Sequence, residues 1–77
     1  MTDLDRLILD TYRAHATEHH LGSRTSALVA ATGLSETRCY QRLVALTRDP
    51  QAWAYDAATV GLIERRMVRG MRSRKVA

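Results

Sequence analysis

The sequence predicts an all-α protein, a small helix-turn-helix domain of four to five helices. Three observations support this fold class. Apolar residues recur three and four positions apart along most of the chain, which is typical of amphipathic helices. The only proline, Pro50, follows an aspartate that can cap a helix, so it suits a first helical position. A Gly-Leu-Ser turn at Gly33–Ser35 separates two of the predicted helices.

The 77 residues are expected to form a single domain, and their 45% apolar content is typical of a globular chain. A chain this short buries only about 60% of the surface that it exposes when unfolded. A deep, enclosed active site is therefore not expected.

The first helix is predicted to run from Asp3 to His20. Thr2 begins it with a capping box, because an acidic residue follows three positions later. Gly22 and Ser23 are expected to end this helix and to cap the next. Its predicted buried stripe is Leu4, Leu7, Ile8 and Tyr12. Its charged residues are expected to face solvent: Asp5, Arg6, Asp10, Arg13 and Glu18.

The second helix is predicted to end at Gly33, since glycine most easily takes the left-handed conformation that closes a helix. Ser35 can cap a third helix, and Leu34 can pack on Cys39 just inside it. The apolar run of the second helix is Ala27, Leu28 and Ala31.

The third helix, from Glu36 to about Arg48, is the candidate recognition helix. Cys39, Leu43 and Leu46 are spaced by four and three, so they form one buried stripe. The other side carries Thr37, Arg38, Gln41, Val44 and Arg48, with Tyr40 on its flank. Two helices joined by a glycine turn, the second with such a polar face, have the shape that enters the DNA major groove. The alternative is an ordinary helical hairpin whose polar face is simply solvated.

A short helix of about one turn is predicted from Pro50 to Tyr55, with Asp49 as its cap. Trp53 could stack on a base, but a core position is the favoured interpretation. Asp56 is expected to cap a basic last helix from about Ala57 to Arg72, followed by a basic tail. The buried stripe of that helix is predicted to be Val60, Ile63, Met67 and Met71. Its opposite face carries Leu62, Arg65, Arg66, Arg69 and Arg72.

The net charge of the chain is +4, and the charged residues are unevenly distributed along the sequence. Residues 1 to 20 hold four acids and two bases, for a sum of −2, whereas residues 61 to 77 hold six bases and one acid, for a sum of +5. Such asymmetry favours a polyanionic partner, with nucleic acid ahead of a membrane surface.

Several function classes receive no support. No apolar run approaches the roughly 18 residues that span a bilayer, and the single cysteine excludes an internal disulfide and fits the cytoplasm. His15 and His19 lack the further ligands of a metal site. No nucleotide-binding motif and no nucleophile beside a base is found, so neither an enzyme nor a cofactor is expected.

Residues 33 to 41, Gly-Leu-Ser-Glu-Thr-Arg-Cys-Tyr-Gln, form a motif that continues in Asp49-Pro50 and in Ala54-Tyr55-Asp56. The sequence resembles a family of small actinobacterial and actinobacteriophage proteins of unknown function with a helix-turn-helix-like Gly-Leu-Ser-x-x-Arg-x-Tyr-Gln motif. The resemblance covers most of the chain and implies a DNA-binding protein. The chain departs from the family pattern at Cys39, where tyrosine is usual, and at Val44, where asparagine is frequent.

These patterns predict a small transcriptional regulator that binds double-stranded DNA. Arg38 and Gln41 are expected to contact base edges, and Val44 a thymine methyl group. Backbone contacts are expected from two sets, Ser35, Thr37 and Tyr40 on the recognition helix and Arg65, Arg66, Arg69 and Arg72 near the C-terminus.

A single recognition helix contacts few base pairs, so high affinity would need a homodimer or a second bound protein. An alternative function is a phage or host protein-interaction module that docks on a larger acidic partner such as the transcription machinery. A third alternative, an amphipathic helix on a membrane, is weaker because the apolar stripe is needed for the core.

Overall fold

Side-chain caps determine where three of the helices begin. In a computed structural model that describes residues 1–17 and 21–68, Thr2 and Asp5 form the predicted capping box, with Asp5 N donating to Thr2 Oγ1 at 3.2 Å. Ser35 Oγ accepts from Arg38 N at 3.2 Å, and Asp49 Oδ1 accepts from Gln51 N at 2.9 Å. Pro50 occupies the first turn after Asp49. All three predicted starts are confirmed.

The described residues form four α-helices and contain no strand, which confirms the all-α prediction. The helices are α1 (Asp3–Ala14), α2 (Leu21–Thr32), α3 (Glu36–Leu46) and α4 (Pro50–Ile63), and a π-helical turn (Glu64–Val68) continues α4. Arg69, Met71 and Arg72 lie outside the described residues, as do Glu18 and His19.

The predicted end of the first helix is wrong. α1 stops at Ala14 and not at His20, and α2 begins at Leu21, so Gly22 and Ser23 lie in the first turn of α2. The apolar stripe explains the early stop. After Tyr12 no large apolar residue occurs before Leu21, so a longer helix would have no face to bury.

The buried face of α1 differs from the prediction at three positions. Leu9 is fully buried together with Ile8 and Tyr12, whereas Leu7 is 41% exposed. Asp5, expected in solvent, is only 8% exposed. Residues 5, 8, 9 and 12 share one face of an α-helix, and position 7 lies about 100° around the axis from position 8.

The turn between α2 and α3 takes the predicted form. Gly33 has a φ of 75°, in the left-handed region, and its N–H donates to Val29 O at 2.8 Å. Thr32 Oγ1 donates to Leu28 O at 2.7 Å and accepts from Leu34 N at 3.1 Å, which fixes the turn. α3 buries Cys39, Leu43 and Leu46 as predicted, and it ends two residues earlier than expected.

The chain bends within α4 at Asp56, where a new helix start was predicted. Asp56 has non-helical φ and ψ of −156° and 76°. Its carboxylate accepts from Thr59 N at 3.2 Å and from Thr59 Oγ1 at 2.7 Å, as a capping residue does. The predicted break is confirmed, although the two segments follow one another without a loop.

The core lies where all four helices meet, with Leu28 contributed by α2 and Ala52 by the first half of α4. Its fully buried residues include Ile8, Leu9, Cys39, Val60 and Ile63. Trp53 packs against this cluster, as predicted, and remains partly exposed. Leu62 also packs there, so its predicted place on an exposed basic face is wrong. The apolar stripe of a core-facing helix is about 100° wide, so it can include both Leu62 and its neighbour Ile63.

Candidate nucleic-acid interface

The exposed face of α3 carries the side chains predicted to contact DNA. Thr37, Arg38, Gln41 and Arg48 are exposed, and Val44 is half-buried. Ser35 is exposed at the start of the helix, where its hydroxyl caps Arg38 N. The buried stripe of α3 packs on the core and directs these side chains outward, so none is covered by another described element.

Arg38 of α3 differs in its contacts from the arginines of α1. Arg6 pairs with Asp3 at 2.7 Å, and Arg13 lies 3.7 Å from Asp10. Among the described residues, the side chains of Arg38 and of its neighbour Gln41 have no hydrogen-bond or ion-pair partner. The hydrogen-bonding groups of these two side chains are therefore available to a ligand.

One arginine of α3, Arg42, is bound to a buried carboxylate. Its Nη2 donates to Asp5 Oδ1 at 2.6 Å, and the side chain of Asp5 is only 11% exposed. This pair corrects the prediction that Asp5 faces solvent, because burial between α1 and α3 is compensated by a charge-assisted hydrogen bond. The sequence did not predict this pair, since its two residues are 37 positions apart.

A cleft between α1 and α3, which we call the α1–α3 cleft, brings three polar side chains of α3 together. Its volume is about 220 Å³, and its lining is Leu4, Leu34, Arg38, Gln41 and Arg42. None of these lining residues is acidic. The cleft therefore combines two guanidinium groups and one amide, the groups that bind oxyanions.

A second cleft lies on the other flank of α3, and we call it the α2–α3 cleft. Its volume is about 330 Å³, and it reaches the π-helical turn at Met67. Its other lining residues are Thr25, Leu28, Glu36, Thr37, Cys39, Tyr40 and Leu43. The floor is mainly apolar, while the rim carries a carboxylate and Tyr40, which is 38% exposed.

Neither C-terminal arginine within the described range lines the α1–α3 cleft, and Arg66 lies away from it. Arg65 and Arg66 are exposed, and Arg66 Nη2 donates to Ala16 O at 3.1 Å, just past the end of α1. Leu4, which lines the cleft, is near the start of α1, about 15 Å along the helix axis from its end. The structure thus brings Arg38, Gln41 and Arg42 together but keeps Arg66 at a distance. Arg69 and Arg72 lie outside the described residues.

A hydrogen bond between α1 and α4 changes the titration of one tyrosine. Tyr55 Oη donates to Asp10 Oδ1 at 3.0 Å. This hydrogen bond raises the pKa of Tyr55 above its ordinary value of 10.0, and the negative charge of Asp10 acts in the same direction. Because the contact lies on the α4 side of α1, it is not part of either cleft.

The described residues show neither a metal site nor a membrane span. Residues 1–17 and 21–68 contain no cluster of three or more metal-ligating side chains, counting His, Cys, Asp and Glu. No helix in that same range combines the length and the apolar character needed to cross a bilayer.

Comparison with protein families gives a match over nearly the whole chain. The family described as "Protein of unknown function (DUF3263)" matches residues 1–76. The chain belongs to this family. Searches of the curated proteins and of the solved structures found no significant match to this DUF3263 protein. The match includes all of α3 and both clefts, so the whole candidate interface is part of the DUF3263 region.

Proposed function

We propose that this protein is a small transcriptional regulator that binds double-stranded DNA and uses α3 as its recognition helix. The observation that carries the proposal is the exposed face of α3. There Arg38 and Gln41 have no intramolecular partner within the described part of the chain, on a helix capped by Ser35. A capped helix that follows a tight turn and presents such donors has the form that enters the major groove.

The base contacts in this proposal come from the outward side of α3. The amide of Gln41 matches the donor and acceptor pair of adenine, and the guanidinium of Arg38 matches the two acceptors of guanine. Val44 can meet a thymine methyl group with the part of its side chain that is exposed.

Contacts with phosphates are proposed from two further sets of residues. Ser35, Thr37 and Tyr40 have hydroxyl groups at the start and flank of α3, where hydroxyls commonly contact the DNA backbone. Arg65 and Arg66, with Arg69 and Arg72 beyond the described range, would supply affinity that does not depend on sequence.

We also propose a biological setting for this activity. The motif of residues 33 to 41 suggests that the protein comes from an actinobacterium or one of its phages and acts in the cytoplasm. It needs no cofactor or membrane and performs no catalysis in this proposal. A homodimer, or a second bound protein, would extend the few base pairs that one helix contacts.

The proposal is tested by selecting bound fragments from a random pool of duplex DNA, followed by mobility-shift titration at two salt concentrations. We expect affinity to fall steeply as salt rises, because phosphate contacts release counterions. Gln41→Ala should reduce the difference in affinity between selected and scrambled duplexes, by roughly 1–3 kcal/mol per lost base contact.

The matched control is Arg6→Ala on α1, since Arg6 is already paired with Asp3. It should leave the ratio of affinities unchanged. Failure of the wild-type protein to bind any duplex at low salt would remove the proposal.

A second candidate is a protein-interaction module that docks on a larger acidic partner such as the transcription machinery. The α2–α3 cleft favours it, because an apolar floor of Leu28, Leu43 and Met67 lies beside the exposed ring of Tyr40. Exposed aromatic residues next to such a cleft are frequent binding hot spots, and nearby arginines would form a polar rim.

Calorimetric titration with purified bacterial RNA polymerase separates the two candidates. Binding that is weakened by Tyr40→Ser, and unchanged by Gln41→Ala, would favour the interaction module. Absence of heat with the polymerase, together with binding to DNA, would favour the regulator that contacts DNA directly.

A further inference from the structure

We propose that the α1–α3 cleft binds one phosphate group of the DNA backbone through Arg38 and Arg42. This inference rests on the proposed function. It adds a contact at Arg42 that the sequence did not predict, and it replaces the guanine contact proposed above for Arg38 by a contact with the backbone.

The charges of the cleft favour an anion. Arg42 is neutralised by Asp5 at 2.6 Å, whereas Arg38 has no partner among the described residues. The cleft therefore keeps about one unit of positive charge on its α3 wall. Arg38 and Arg42 are four positions apart on one helix, so their Cβ atoms are about 6 Å apart. A phosphate between them can accept a charge-assisted hydrogen bond from each.

The position of the two arginines around α3 points to the backbone. Gln41 lies opposite the buried stripe, and Arg38 and Arg42 lie about 60° and 100° around the axis from it, on the side of α1. When a helix is seated in the major groove, its outermost residues face base edges and its flanks face the sugar-phosphate walls. Gln41 therefore faces bases, while the arginine flank faces a strand.

Arg42 is held in position before any ligand arrives. One terminal nitrogen is bound to Asp5, and Asp5 in turn accepts from Thr2 N at 3.4 Å. The Nε atom of Arg42 is enclosed, but 42% of the side chain remains exposed. A guanidinium fixed in this way loses less conformational entropy when it binds a phosphate. The cleft volume of about 220 Å³ is large enough for a phosphate group and some of its hydration shell.

Three variants test the site. Arg38→Gln removes the unpaired charge. The double variant Asp5→Asn with Arg42→Gln removes the second guanidinium without leaving a buried carboxylate unpaired, and it keeps the net charge of the protein. Arg6→Gln is the matched control, because it removes one positive charge outside the cleft. Circular dichroism establishes that each variant is folded before binding is measured.

Filter binding to duplex DNA over a range of salt concentrations gives the first result. We expect Arg38→Gln and the double variant each to bind roughly tenfold more weakly at low salt, because each loses a hydrogen bond to a charged group. The loss should be equal for selected and scrambled duplexes, and the slope of affinity against salt should fall by up to about one. Arg6→Gln should change affinity by less than about twofold.

Replacement of single phosphates by neutral methylphosphonates gives the decisive result. At one position of the selected duplex, we expect this replacement to weaken binding by the wild-type protein roughly tenfold and binding by each cleft variant by a smaller factor, since each variant has already lost one of the two contacts with that phosphate. If no position behaves in this way, the inference is wrong. It is also wrong if Arg38→Gln changes the ratio of affinities between sequences, because that outcome means contact with a base.

Failure of the inference can be told apart from failure of the proposed function. If DNA binds and the cleft variants match the wild-type protein, only the inference is overturned. If no duplex binds, titration with inorganic phosphate, followed by NMR of the arginine side chains, tests the cleft alone. Shifts at Arg38 and Arg42 that are absent from the variants would support a site for free phosphate, and unchanged spectra would overturn it.

Discussion

The two flanks of α3 differ in chemistry although they belong to one short helix. On the α1 side, the cleft is lined by two guanidinium groups and an amide, and it contains no acid among its lining residues. On the α2 side, the cleft has an apolar floor, with Tyr40 and Glu36 at its rim. If α3 enters a DNA groove as proposed, its unequal flanks should favour one orientation, because only the α1 side would attract a phosphate strand strongly.

The largest expected effect is a loss of stability when the buried residue beneath both flanks of α3 is truncated. Leu43 is 4% exposed and contacts the core, so Leu43→Ala should lower the free energy of unfolding by about 2–4 kcal/mol. Urea unfolding followed by circular dichroism measures this change, with Val44→Ala as the control on the same helix. Equal losses in the two variants would mean that α3 is not anchored through its buried stripe.

The second-largest expected effect compares the loss of stability when the Arg42–Asp5 pair is broken with the loss when an exposed ion pair of α1 is broken. Arg42→Ala leaves the carboxylate of Asp5 largely buried without its partner, which should cost about 1–2 kcal/mol of stability, because Arg42 itself is partly exposed. Arg6→Ala breaks the exposed pair with Asp3 and should cost less than about 0.5 kcal/mol. The same unfolding experiment compares them, and a smaller loss for Arg42→Ala would contradict the role of the pair in holding α3 against α1.

The third expected effect is a change in stability at the turn between α2 and α3, which positions both flanks of α3. Gly33 has a positive φ, and a Cβ added to it would meet no atom within 4 Å, so Gly33→Ala should cost about 1 kcal/mol through backbone conformation alone. Gly61 lies inside α4, where an added Cβ would make an ordinary 3.6 Å contact with Trp53. Gly61→Ala should therefore raise stability by up to about 1 kcal/mol. Thermal unfolding measures the change in stability of both variants, and an increase in stability for Gly33→Ala would contradict the described turn.

The smallest effect concerns the side of α1 that faces α4. Because the folded protein raises the pKa of Tyr55, its neutral form is favoured on folding. The associated stabilisation is complete below the unfolded value of 10.0 and is lost as the pH rises through the higher folded value. Ultraviolet titration of the wild-type protein and of Tyr55→Phe isolates the ionisation of Tyr55, which the variant lacks. We expect this ionisation to occur above pH 10.0, and ionisation below that pH would contradict the hydrogen bond to Asp10.

The sequence predicted those features that depend on neighbouring residues. The caps at Thr2, Ser35 and Asp49, and the break at Asp56, each involve partners no more than three positions away, so local spacing determines them. The glycine turn and the buried stripe of α3 follow for the same reason. The polar character of the outer face of α3 could thus be predicted from residue spacing alone.

Features that depend on packing could not be predicted in this way. The pairing of Asp5 with Arg42 joins two helices 37 positions apart, and nothing in the local pattern distinguishes Asp5 from a solvated acid. The choice of Leu9 over Leu7 as a core residue likewise depends on which neighbours α1 meets. The clefts beside α3 are a consequence of these contacts, so no local pattern indicates them.

Trp53 provides the protein with a fluorophore at the end of α3. It is the only tryptophan of the chain, and its indole N–H donates to the carbonyl oxygen of Thr47 at 2.8 Å, where α3 ends. The emission of a half-buried indole depends on that hydrogen bond and on the polarity around it. Movement of α3 relative to α4 therefore shifts or quenches the intrinsic emission, which allows ligand binding to be followed without any attached label.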